Sequence, residues 1–288
     1  MAFSAEGRRH YLWRKVKNDF MTGLTVLATA TALVPLFLVL GYLLSMGAAS
    51  VNWAFFTALP APVGETGGGM ANAIVGTLEL IALAAAMGIP IGVGAGLFLA
   101  ENRGSHVSGT IRFAADVMMG IPSIVIGIFV YAIVVRPMHT FSTLSGAIAL
   151  AIIMIPLVTR TTEEMILLVP HELREAALAL GVPRWKTTLA VVARTAMSGI
   201  ATGIILAVSR IAGETAPLLF TAFGNRFWST SLTQPISSLT VQVYNYAISP
   251  FHDWQRQAWA GALVLTGIVL ILELGVRWVT RGTARVAR

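Results

Sequence analysis

The sequence predicts an all-α, polytopic membrane bundle of six transmembrane helices. Three observations carry that expectation. The chain is 56% hydrophobic and only 11% charged, far from the balance of a water-soluble domain. It holds six apolar runs, each near or above the roughly 20 residues needed to cross hydrocarbon: 20–44, 73–100, 113–135, 144–168, 189–220 and 258–279. Those runs are continuously apolar and do not alternate, which excludes the strands of a lipid-facing barrel and leaves helices to satisfy the backbone in lipid.

Taken in order, the segments each have a local rationale. Residues 1–19 form a cytoplasmic tail with Arg8, Arg9, Arg14, Lys15 and Lys17. This resembles the charged start of a signal peptide, but the apolar run that follows is too long for a cleaved one. A retained first helix is expected, added to a five-helix core, with residues 20–288 as the transmembrane domain. The second run spaces Gly88, Gly92 and Gly96 four apart, as the fifth does Gly199 and Gly203. Such spacing lets helix backbones approach closely where lipid supplies no hydrophobic drive. Pro90, Pro122 and Pro156 fall inside apolar runs, where each removes a donor and tends to kink the helix. The fourth run carries Arg160, Glu163 and Glu164 near its end.

Orientation follows from basic residues, because Lys and Arg accumulate in cytoplasmic loops. With both termini inside, the outer segments hold only Arg136, Arg226 and Arg256 of the 20 Lys and Arg, and Arg210 lies within a span. Topology and anionic headgroups then account for the net charge of +7 without a nucleic-acid partner. Two outer segments, 45–72 and 221–257, are long enough to form a docking surface. Trp228, Tyr244, Tyr246 and Trp254 in the second are expected to form an interfacial aromatic belt. The chain has no cysteine, hence no disulfide framework or thiolate metal site. It also has no His cluster spaced for a catalytic metal and no glycine-rich stretch ending in Gly-Lys-Ser or Gly-Lys-Thr. It is not expected to be an ATPase.

Charges inside spans are functional candidates by default. Glu79, Asp116, Arg210, Glu214 and Glu273 qualify, with Asp116 and Glu273 near helix ends, where they can snorkel or pair. Arg210 and Glu214 are four residues apart, and on an ideal helix Gly199, Gly203, Ala207, Arg210 and Glu214 share an arc of roughly 80°. That arc turns the charges towards the bundle interior, where a guanidinium fork can meet phosphate or carboxylate oxygens. Glu214 would hold Arg210 and partly neutralise it. A structural ion pair between helices is the plainer alternative.

A polar island at about 163–187 has a helix pattern of its own. Pro170 suits a first turn, residues 171–180 favour helix, and Gly181 followed by Pro183 is a stop. Glu175, Ala176 and Ala177, then three residues, then Gly181, resemble the EAA loop of permease subunits in ATP-binding-cassette importers. The apolar residue ten positions on is Val191, but Ala193 and Arg194 stand where that family usually has leucine and proline. The run 209–219 (SRIAGETAPLL) resembles the fifth core helix of phosphate-specific importer permeases of the PstA type, and 120–129 (GIPSIVIGIF) resembles their third span.

The resemblance, strongest from about Asn72 onward, implies a MetI-like permease fold in the bacterial inner membrane. It implies that Glu175, Ala176, Ala177 and Gly181 dock an ATPase, and that Arg210 and Glu214, with Glu79 as a third candidate, serve a phosphate pathway. Implied partners are a related permease (PstC type), two ATPase subunits that hold ATP and Mg, and an extracytoplasmic phosphate-binding protein. The chain itself would hold no cofactor. An ion-gradient-driven carrier with Glu79 or Glu214 as its proton-coupling carboxylate, and a non-transporting scaffold or sensor, are the competing readings.

Overall fold

The computed structural model describes residues 5–62, 65–229 and 231–286. Among them the chain is helical, with no sheet beyond one isolated bridge between Pro60 and Gly68. Five helices are long and apolar enough to cross a membrane, and a bent pair completes a sixth crossing if taken as one span. In chain order these are α1 (Ala5–Gly47), α2 (Ala71–Glu101), the bent pair α3 (His106–Gly120) and α4 (Ser123–Met138), α5 (Thr143–Leu167), α7 (Arg184–Ala212) and α10 (His252–Val286). Shorter helices intervene: α6 (His171–Ala179), α8 (Ala216–Thr221) and α9 (Leu239–Ala247). The side chains of Arg8, Arg9, Arg277, Arg281, Arg285 and Arg288, which the orientation above assigns to the inner side, lie outside the described residues.

Helix α5 is the axle. Its first turn is fixed by a capping box in which Ser142 accepts from the Ser145 amide and Ser145 bonds back. It is the most buried of the spans. The glycine spacing read from sequence explains how α2 lies against it. A side-chain carbon on Gly92 would stand 2.7 Å from Val158 Cβ, and one on Gly96 2.6 Å from the Thr159 carbonyl oxygen. Gly199 and Gly203 seat α7 against Met165 and Thr161 of the same helix. Both neighbours thus share one central rod, around a core that includes Leu80, Val130, Leu150, Met154, Val158 and Ile211. Helix α1 packs near its outer end on α10, where Tyr42 meets Trp259 edge-on at 5.1 Å, and is otherwise largely exposed.

Two spans are interrupted more sharply than the kinks expected from proline. The third breaks between Gly120 and Ser123, where the chain bends by 104°. Proline 122 forces its predecessor out of helical geometry, and Ile121 and Pro122 are both extended, with ψ of 129° and 134°. Pro90 and Pro156 remain within unbroken helices. The fifth run ends at Ala212, and 213–215 separate it from α8. Gly213 is a poor helix former, and Pro217 in the first turn of α8 would oppose the carbonyl four residues back if the helix ran on. Glu214 therefore lies beyond the helix that carries Arg210.

The outer segment after α8 folds inward. Thr143 and Leu144 amides donate to the Gln234 and Leu232 carbonyls at 2.9 Å each, and Leu239 N–H donates to Thr77 Oγ1 at 2.8 Å. Tyr246 and Trp254 stack at 4.5 Å inside a small outer core with Phe55, Met70 and Leu239. They are buried, so the expected aromatic belt reduces to exposed Trp228 and Tyr244. Their flat rings fill the space between α9 and α10, which sequence spacing does not reveal.

Candidate functional site

Arg210 ends the last turn of α7, and Glu214 follows across the Gly213 break, its amide donating to the Ile211 carbonyl at 3.2 Å. Nε of Arg210 stands 3.9 Å from Oε1 of Glu214. That is an ion-pair distance, too long for a hydrogen bond. The Arg210 side chain is 47% exposed and that of Glu214 15% exposed. The helical arc predicted above holds for Gly199, Gly203 and Ala207, which face α5 or are buried. It does not hold for the guanidinium, which leaves the interior because the helix ends within a turn and leaves its long stem room to swing outward. No side-chain hydrogen bond consumes its donors among the described residues, whereas Arg112 and Arg160 are both bonded to carboxylate.

The two segments singled out by motif meet here. Gly127 of α4 packs on the backbone of Pro217, where an added carbon would be 2.6 Å from its Cα. The bent span and the broken one are therefore seated on each other directly below Glu214 in sequence. The carbonyl of Glu214 accepts from Thr240 Oγ1 of α9 at 3.0 Å, which ties the break to the outer segment. Ser209 Oγ, next to Arg210, is buried with no hydrogen-bond partner. Thr240 and Ser209 were not legible as site neighbours, since neither is charged and Thr240 arrives from 26 residues away. Glu79 lies part-buried on α2 and makes no ion pair among the described residues, so the structure does not join it to Arg210. Asp116 is paired with Arg160 at 3.1 Å, and Glu273 is part-buried on α10.

The second site is the island around α6. The helix begins after Pro170 and ends as its sequence predicts. Gly181 adopts φ 78°, its amide donates to the Leu178 carbonyl at 3.0 Å, and the Val182 amide reaches back to Ala177 at 3.2 Å. This paired closure is the Schellman arrangement. Ala177 is buried against the start of α7, while Ala176 and Glu175 face outward. Oε1 of Glu175 stands 3.1 Å from Nδ1 of His171, one turn earlier. Arg174 pairs with Glu101 at the end of α2, which pins the island to the bundle. Apolar Leu180 and Trp185, 85% and 66% exposed, stand on this otherwise polar loop. No group of three or more His, Cys, Asp and Glu able to hold a metal occurs among the described residues.

Residues 88–285 match the family described as binding-protein-dependent transport system inner membrane component. The chain is 47% identical to the phosphate transport system permease protein PstA of Yersinia pestis, covering 94% of this chain and 92% of that protein. Against the PstA permease of Haemophilus influenzae the identity is 45%, over 93% and 95% of the two chains. Among solved structures, a bacterial alginate ABC transporter in complex with alginate pentasaccharide-bound periplasmic protein has a chain that superposes with a TM-score of 0.66 at 13% identity, covering 94% of this chain and 97% of that one. The inward-facing MetNI methionine ABC transporter gives 0.61 at 16% identity, over 74% and 97%. At these identities the structural likeness establishes the fold alone.

Proposed function

The chain belongs to the PstA phosphate transport permeases, within the binding-protein-dependent inner membrane component family, and from that membership we propose how its residues divide the work of import. One half of the translocation pathway is formed by this chain, the other by a related permease of PstC type. An extracytoplasmic phosphate-binding protein delivers substrate to the outer segments, and of two ATPase subunits in the complex one docks at α6. ATP and Mg are held by those subunits, and this chain performs no hydrolysis.

One observation carries the substrate assignment: Arg210 has a half-exposed guanidinium with no hydrogen-bonded carboxylate, at a break in a membrane helix. A planar fork with uncommitted donors suits a tetrahedral oxyanion, because charge-assisted bonds are the strong ones and can be made in pairs. Glu214, held at 3.9 Å, supplies a nearby negative charge without occupying that fork. It lowers the attraction for the anion, so that phosphate is held briefly and released. The exposed side of Arg210 faces the second permease across the pathway.

Docking is supported by form at α6. The Schellman closure at Gly181 turns the chain sharply, outward Ala176 leaves a slim helix edge, and exposed Leu180 and Trp185 give a partner apolar surface to cover. The test is uptake of phosphate by the complete transporter in vesicles loaded with ATP. Arg210→Gln keeps most of the volume and removes the charge. Uptake should fall at least about tenfold, the loss expected for a charge-assisted hydrogen bond, with assembly unchanged. Undiminished uptake would refute the anion site.

A further inference from the structure

Ionised groups inside a bundle cost several kcal/mol each to desolvate unless they are paired and hydrogen-bonded. One such group, Glu163, is the centre of a chain of four on the cytoplasmic side of the molecule, in which Arg112, Arg160 and Asp116 reach the surface with 30%, 25% and 49% exposure. Arg112 of α3 donates Nε and Nη2 to Oε1 of Glu163 on α5, at 3.0 and 2.6 Å. The other oxygen of Glu163 accepts from Nη1 of Arg160 at 2.8 Å, and Nε of Arg160 stands 3.1 Å from Oδ1 of Asp116, back on α3. The Glu163 side chain is only 3% exposed.

The geometry is a cross-brace. Arg112 and Asp116 are one turn apart on α3, and Arg160 and Glu163 one turn apart on α5, so each pair shares a face of its helix. Two rungs at different heights oppose sliding as well as separation. Apolar contact alone resists sliding poorly, and lipid gives no hydrophobic drive to hold a register. An apolar residue of similar volume would often be as stable at the buried Glu163 position, so stability by itself does not account for a carboxylate there. Fixing a register is the best-attested use of such groups.

Its position gives the brace a task. Glu163 lies one turn before the end of α5, and α6 begins at His171 just beyond. Asp116 lies one turn before the break at Gly120, past which Gly127 rests on Pro217. Resting on the reading of α6 as the ATPase dock, we propose that the Arg112–Glu163–Arg160–Asp116 chain is the coupling joint that makes α3 and α5 a single lever. Displacement of α6 is delivered to the end of α5, passed by the brace to α3, and carried through the bent span to the segment bearing Glu214. Glu163 is then a positioning residue, acting through helices and touching no substrate.

The test uses the assembled transporter in vesicles and reads phosphate accumulated per ATP hydrolysed. The chain has no cysteine of its own, so R112C/E163C places a unique thiol pair in it, which a short bis-methanethiosulfonate bridges through two disulfides with release of methanesulfinate. R112M/E163M removes the Arg112–Glu163 ion pair but keeps most of the volume. Assembly and ATPase rate should persist in R112M/E163M, while phosphate per ATP falls roughly tenfold, within the range of typical coupling energies. Unbridged R112C/E163C should be equally uncoupled, and bridging should recover most of the ratio. An unchanged ratio in R112M/E163M, or a bridged pair as poor as the unbridged one, overturns the joint. If R112M/E163M does not assemble, the bridged and unbridged cysteine pair decides by the same criterion. Wild-type vesicles that hydrolyse ATP without accumulating phosphate would instead overturn the transport reading on which the joint rests.

Discussion

At Arg210 the chemistry depends on what the side chain does not touch. Arg112 and Arg160 spend donors on Glu163, and their charge is absorbed into structure. Arg210 stays 3.9 Å from its carboxylate and keeps its fork. Lysine offers a point charge without the paired planar donors. We expect Arg210→Lys to transport phosphate at a rate between wild type and Arg210→Gln, measured as initial uptake in vesicles. Full activity in the lysine variant would show that charge alone suffices. Arg210 was legible as a candidate because an arginine in an apolar run is conspicuous. Its outward swing was not, because an ideal helical arc assumes that the helix continues, and Gly213 with Pro217 ends it. Glu79 was conspicuous for the same reason, yet it has no ionic partner among the described residues.

Among the elements, α6 and the α2–α5 pair make opposite demands on glycine. Gly181 is needed for its backbone: φ is 78° and the space where a side chain would go is open. A β-branched residue in left-handed geometry costs about 1–3 kcal/mol, enough to unravel the closure of a short helix. Gly181→Val should leave the bundle folded and uncouple ATP hydrolysis from uptake. A variant that retains the wild-type ratio would remove α6 from the coupling path. Gly92 is needed for its lack of bulk, since Val158 leaves only 2.7 Å. Gly92→Leu should force α2 off α5 at a cost of about 1–3 kcal/mol or more, lowering the thermal midpoint of the purified chain in detergent. An unshifted midpoint would mean that the helices have room to part. Both glycines were readable from spacing and stop signals. A kink at Pro122 was readable, but not that it alone of the three prolines becomes a full break, nor the separation of α8 from α7, because a continuous apolar run looks the same however sharply its helix bends.

For the molecule as a whole, an apolar bundle with one largely exposed first helix, a half-exposed Arg210 and an exposed apolar rim on α6 has unfinished surfaces on more than one side. Gentle purification of the tagged chain should bring down an ATPase and a second permease, identified by mass spectrometry, and Gly181→Val should retain less of the ATPase. A chain that arrives alone under several mild detergents would favour an ion-coupled carrier, with Glu79 and Glu214 as the residues to test. The sequence by itself determined the class, the apolar runs that form the crossings and the short helix with its Gly181 stop, and it singled out Arg210 as a candidate. Each of these rests on local composition or on spacing within one segment, which hydropathy and helix periodicity report directly. Only the tertiary structure decided that Gly127 sits on Pro217, that Thr240 holds the Glu214 carbonyl, and that Arg112 meets Glu163 across 51 residues of chain. Those contacts join segments far apart in sequence, and the close packing that selects them is a property of the assembled bundle that no single run of residues encodes.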